Sequence, residues 1–153
     1  LSRVTVGARP FALPYDTPRQ RLYALNVQSN DLSVLDTRDL FRTGKLVPIA
    51  TVAVGKAPYG AAMADGGKLL YVTNQHEDSV SVIDADTLKV VRTLRGFGYP
   101  EGIASHRDRV YVVNWMDDNL SVLDAVSGQT IKTIATGQNS RGFGAFIGDA
   151  PAP

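Results

Sequence analysis

The stretch LYVTNQHEDSVSVID, Leu70 to Asp84, decides the reading of this chain, because it occurs twice more with small changes. Its counterparts are LYALNVQSNDLSVLD, Leu22 to Asp36, and VYVVNWMDDNLSVLD, Val110 to Asp124. In each copy two short runs alternate apolar and polar residues, the first ending in Asn and the second in Asp, with a polar loop between them. Such alternation gathers the apolar side chains on one face of a strand, so each copy predicts a β-hairpin with one buried face.

Asn26, Asn74 and Asn114 stand 48 and 40 residues apart, and Asp36, Asp84 and Asp124 keep both intervals. Repetition near 40 residues with about four strands per unit predicts β-propeller blades. Gly55, Gly96 and Gly137 stand 41 residues apart, with Gly7 48 before Gly55, and are taken to mark equivalent junctions. The longer first interval is absorbed by TRDLFRTGK, Thr37 to Lys45, expected to be a lengthened loop. SRVTV before Gly7 alternates as IATVAV does before Gly55, so it is expected to be an outermost strand. After each junction comes a segment of small residues, expected to be an innermost strand where blades crowd around the axis.

The expected fold is therefore all-β: a β-propeller of four-stranded antiparallel blades, with three complete blades at about 9–54, 57–95 and 99–136. A lone outer strand at 2–6, a lone inner strand at 141–147 and a Pro- and Ala-rich tail at 148–153 complete the partition. Propellers close with about 4 to 8 blades. Three blades form an open arc whose apolar ends need covering. The expected cover is either further blades of a longer polypeptide, of which this is the C-terminal part, or further copies of the chain. Leu1 stands where a start methionine would, which fits removal of an upstream part.

Tyr71-Val72-Thr73-Asn74, followed by Asp78 to Asp84 and then Thr87 to Leu94 and a Gly, resembles the YVTN repeat family of β-propellers; Tyr23 to Asn26 and Tyr111 to Asn114 are looser copies. SRGFGAFI, Ser140 to Ile147, looks like the closing segment of propellers related to that family and to the heavy subunits of quinoprotein amine dehydrogenases. The resemblance implies a periplasmic or extracellular location. It also implies, for the amine dehydrogenase type, that quinone chemistry sits in a small partner subunit.

Composition narrows the classes. With 44% hydrophobic and 20% charged residues the chain has the makings of one globular domain. A net charge of +1 and the lack of Lys/Arg runs argue against a nucleic-acid partner, and no apolar run reaches the roughly 18 residues of a membrane span. The N-terminus shows no signal peptide. Zero cysteines exclude disulfides, thiolate metal sites and a Cys nucleophile.

In a propeller the loops between the second and third strands share a face with the loops entering the first. That face is expected to gather His76, Glu77, Trp115 and Asp117 from hairpin loops with Arg9, Tyr59, Tyr99, Glu101 and Arg141 from entering segments. These nine are the candidate ligand- or partner-binding residues; Gln75, Asp78, Met116 and Asp118 share their loops, and the rim is expected to be somewhat acidic, offset nearer the axis by Arg9, Arg141 and Lys56. His76, Glu77 and Asp78 do not make a metal site, since His106 belongs to a turn on the opposite face and three or four converging ligands are needed. No Ser–His–carboxylate set, nucleophile elbow or phosphate-cradling glycine loop is present, so no catalytic residue and no cofactor is expected on this chain. The repeated Tyr23/Tyr71/Tyr111, Asn26/Asn74/Asn114 and Asp36/Asp84/Asp124 are expected to be scaffold: Tyr packing between blades, Asn and Asp bonding turn amides.

The function expected is a non-catalytic scaffold that binds a protein or other ligand through its loop face, partnered by another protein or by further copies of itself. Two alternatives stay open: a propeller subunit of a periplasmic redox enzyme whose cofactor sits on a partner chain, and a lactonase-type hydrolase.

Overall fold

The structure, a computed structural model, describes residues 3–144 and 146–149. The three repeated stretches form the hairpins expected of them. β3 (Arg21–Asn26) pairs with β4 (Asp31–Asp36), β7 (Leu69–Asn74) with β8 (Ser79–Asp84), and β11 (Arg109–Asn114) with β12 (Asn119–Asp124), all antiparallel and in the same register. Inner strands β6 (Pro58–Ala64) and β10 (Pro100–His106) pair with β7 and β11, and outer strands β5 (Val47–Ala53), β9 (Lys89–Arg95) and β13 (Thr130–Ala135) close each sheet. In the first blade the inner strand is split into β1 (Pro10–Ala12) and β2 (Tyr15–Asp16), with Pro14, which has no N–H for the ladder, in the break. The result is an open arc of three antiparallel blades, each built around four strand positions.

The hydrophobic cores lie between blades. Tyr23, Leu25, Leu32 and Val34 of the first blade pack on Leu70, Val72 and Ile83 of the second. Tyr71, Val80 and Val82 of the second pack on Val110, Val112 and Leu123 of the third, and Tyr71 Oη donates to the Ala125 carbonyl at 3.1 Å. Tyr71 and Val80 are fully buried, whereas their third-blade counterparts Tyr111 and Leu120 are only half-buried. At the other end Leu22 is half-buried where Leu70 and Val110 are fully covered. Both flanks of the arc thus lack the neighbour that every internal flank has.

Three local expectations are corrected. The Asn side chains do not bond turn amides: Asn74 Nδ2 donates to Ser79 Oγ and Ser81 Oγ on the facing strand, Asn26 Nδ2 to Asp31 Oδ1 and Ser33 Oγ, and Asn114 Nδ2 to Asn119 Oδ1 and Ser121 Oγ. An Asn at a strand end reaches its cross-strand partner more readily than its own turn. Thr37 to Lys45 holds a one-turn helix, α1 (Leu40–Thr43), ended by Gly44 at φ 70°. Gly96 is not the counterpart of Gly55: left-handed residues at Arg9, Ala57, Tyr99 and Asn139 set the true register, and Phe97, almost fully buried, occupies the equivalent place.

Segment 3–6 joins no sheet, and neither do 141–144 and 146–147; residues 2, 145 and 150–153 of the expected strands and tail lie outside the described residues. Glycines nevertheless place 141–144. A Cβ on Gly60 would stand 2.7 Å from the Glu101 carbonyl, so β6 and β10 approach as only Gly permits. A Cβ on Gly102 would collide in the same way with Gly142 O, so the segment after the third blade abuts β10 as β10 abuts β6.

Two outcomes follow from these contacts. Gly60→Ala should cost about 1–3 kcal/mol in urea unfolding because backbone, not a movable side chain, blocks the methyl. Gly148→Ala, with nothing within 4 Å, should stay within about 0.5 kcal/mol of wild type. The Asp84 carboxylate is held below the ordinary 3.8 by the Thr87 N–H and hydroxyl, and Asp124 likewise by Ser127. A depressed folded-state value means stability that is present above about pH 4 and lost as pH falls through the folded value. The urea midpoint should therefore drop below about pH 4, and Thr87→Val should move the NMR titration of Asp84 upward.

Candidate functional site

The face holding the β3–β4, β7–β8 and β11–β12 loops is built by a repeated turn. Arg9, Ala57 and Tyr99 each adopt a left-handed backbone with φ between 52° and 54° as the chain enters an inner strand, and Asn139 does so ahead of segment 141–144. None is Gly, and for such residues this conformation costs about 1–2 kcal/mol. In the last three the N–H is captured by a side chain of the preceding blade's hairpin loop: Ala57 N by Asn30 Oδ1 at 2.9 Å, Tyr99 N by Asp78 Oδ1 at 3.0 Å, and Asn139 N by Asp118 Oδ1 at 2.7 Å. The first two clasps fix where the next inner strand starts, and the third where segment 141–144 starts.

Two residues on come Phe11, Tyr59, Glu101 and Arg141, which meet one another. Phe11 stacks on Tyr59 with ring centroids 4.1 Å apart, and Phe143 lies 6.3 Å from Tyr59. Arg141 Nη1 stands 3.6 Å from Glu101 Oε1, which accepts from Gln75 Nε2 at 3.0 Å. Phe11, Tyr59, Glu101 and Phe143 border a cavity of about 290 Å³. Burial, then the Glu101 charge, raises the Tyr59 hydroxyl above its ordinary value, with Arg141 opposing.

Above this cluster runs a ladder of rings. The Arg141 guanidinium lies 4.6 Å over the Trp115 ring, Trp115 meets Tyr99 edge-on at 5.1 Å, and Tyr99 Oη bonds His76 Nε2 at 3.0 Å. Glu101 is 2% exposed, yet among the described residues its Oε2 has no partner, and the buried Trp115 Nε1 has none either. An unmatched buried donor and acceptor are each costly, and a bound group that supplies their partners recovers that cost.

Of the nine expected residues, His76, Tyr59, Tyr99, Glu101, Trp115 and Arg141 are thus brought together. Arg9 lines a separate hollow of about 330 Å³ with Lys56 and His76. Glu77 and Asp117 serve the scaffold: Glu77 Oε2 accepts Lys56 N and its Oε1 pairs with Arg95, while Asp117 Oδ2 accepts Gly98 N, as Ser29 Oγ accepts Ala8 N in the first blade. With Asp78 and Asp118 used as clasps, the expected acidic rim has its carboxylates committed to backbone. Phe11 and Phe143 were missed, and Gln75, expected only as a neighbour in the loop, bonds Glu101. Phe11 follows Pro10 as Tyr59 follows Pro58, and that equivalence would have found it. Among the described residues no three His, Asp or Glu side chains group to hold a metal ion. The arrangement offers hydrogen bonds, a cation and aromatic faces.

No protein-family model matches the chain, and no curated protein sequence does. Similar solved structures are Kuenenia stuttgartiensis hydrazine synthase, 24% identical with a TM-score of 0.74, over 90% of this chain and 40% of that one. A periplasmic gluconolactonase of Pseudomonas aeruginosa, PpgL, is 21% identical with a TM-score of 0.74, over 88% and 42%. The WD40 repeats of RRP9 are 15% identical with a TM-score of 0.70, over 90% and 42%. The chain spans about two fifths of the structures it matches, and at these identities the likeness is one of fold: the chain is an arc of β-propeller blades.

Proposed function

We propose that the chain is a non-catalytic propeller scaffold that binds a protein partner through the face bearing the His76–Tyr99–Trp115–Arg141–Glu101 ladder. One observation carries this: the ladder crosses consecutive repeats and is made of residues that break the repeat. Trp115 stands where the other copies have Val27 and Gln75, and Glu101 and Arg141 where they have Phe11 and Tyr59. Symmetric positions maintain a scaffold, and departures from symmetry at one place mark use. Rigid blades hold the rings in place, so docking costs little ordering. Large aromatic side chains and Arg are the residue types that dominate binding energy.

In this reading the segments 3–6 and 141–144, which join no sheet here, belong to blades completed elsewhere, by the same polypeptide or by another copy. A periplasmic or extracellular site is part of the proposal, supported by the YVTN resemblance and by the likeness to a protein described as periplasmic. Among the described residues no helix is long and apolar enough to cross a membrane. The redox-subunit and lactonase readings draw on fold likeness alone, and among the described residues no arrangement favours them.

The test is affinity capture with wild-type bait beside Trp115→Ala and Phe41→Ala, the latter removing a 99% exposed ring from the opposite face. Wild type and Phe41→Ala should retain the same partner, and Trp115→Ala, still folded by circular dichroism, should weaken it by at least about tenfold. Equal retention by Trp115→Ala would refute the reading.

A further inference from the structure

We propose that the partner presents an acidic segment, whose carboxylates dock against Arg9 and Lys56 at one end of the ladder and against Arg141 at the other. This rests on the reading of the ladder face as the binding face. The argument is one of charge left over. On this face Glu77, Asp78, Asp117 and Asp118 all accept backbone N–H groups, and Glu77 also pairs with Arg95. Glu101 is buried beneath. The cations are less committed: among the described residues Arg9 and Lys56 have no carboxylate within 4.0 Å, and Arg141 holds Glu101 only at 3.6 Å while 48% exposed.

The hollow with Arg9 and Lys56 exists because the repeat is broken there. Val27 and Ala57 line it, and their counterparts one blade on are Gln75 and Tyr99, whose ring packs against His76 and Trp115. Small residues leave space, and no acidic side chain lines it. His76 lines the hollow and also bonds Tyr99, so the surface continues from the hollow over the rings to Arg141. Cations at both ends of an aromatic track suit an extended segment with carboxylates flanking apolar side chains. An isolated small anion would use one end and leave the rings bare. Opposite charges across such a surface set partner choice and association rate.

The experiment titrates the full chain with three hexapeptides, EELLEE, QQLLQQ and KKLLKK, followed by Trp115 fluorescence and by amide NMR shifts. EELLEE should saturate, shift Arg9, Lys56, His76 and Trp115, and weaken with added salt. QQLLQQ should bind at least about fivefold more weakly and KKLLKK not at all. The double variant Arg9→Gln/Lys56→Gln removes exposed charges only and should lose about five- to tenfold for EELLEE, while Arg107→Gln on the opposite face should not change it. Equal binding of EELLEE and QQLLQQ, an unchanged affinity in the double variant, or tighter saturation of the hollow by inorganic phosphate than by EELLEE would overturn the proposal. If EELLEE fails while Trp115→Ala still abolishes capture, the acidic partner alone is refuted; if both fail, the face itself is wrong.

Discussion

A side-chain oxygen of one blade's hairpin loop captures the N–H of the residue that turns the chain into the next blade, and the rest of the structure depends on that contact. Asn30 with Ala57, Asp78 with Tyr99 and Asp118 with Asn139 are the same bond made three times. The clasp offsets the cost of the left-handed backbone at three of the four turning residues, and Arg9 takes the same conformation without one among the described residues. Fixing it sets the angle at which successive inner strands meet, close enough that Gly60 and Gly102 have no room for a side chain. Interblade packing through Tyr23 and Tyr71 then follows, because the sheets are already face to face.

The same contact builds the loop face. Tyr99 is at once a clasped turning residue and the middle rung of the ring ladder, so the scaffold bond and the candidate binding surface share one residue. Carboxylates that look available from outside are spent on this task. What remains uncommitted is cationic and aromatic, so the offsetting cations Arg9, Lys56 and Arg141 outweigh the loop carboxylates.

Fold was legible because alternation and repetition are properties of residue order. Three copies of a hairpin pattern fix strands, register and blade identity with no knowledge of side-chain partners. The site was only partly legible. Tyr59, Glu101, Trp115 and Arg141 were reachable by asking which positions break the repeat. Glu77 and Asp117 were misjudged because an acidic residue in a loop reads the same whether it meets solvent or a backbone N–H. Gln75 was placed on the loop face by its position in the repeat, but its bond to the buried Glu101, 3.0 Å away, is visible only in the structure. The glycine register slipped by one residue at Gly96 because a left-handed turn, not a glycine, is what recurs, and Ala57 or Tyr99 can adopt it when clasped.

The flanks of the arc bear on the central claim, that blades at both ends are shaped for neighbours. Tyr111 and Leu120 at one flank and Leu22 at the other are left half-covered, where their internal counterparts are sealed. Sedimentation of the 153-residue chain over a concentration series measures this most directly. The account predicts association, with a mass well above 16.5 kDa that rises with concentration. A well-behaved monomer of 16.5 kDa at every concentration would contradict it.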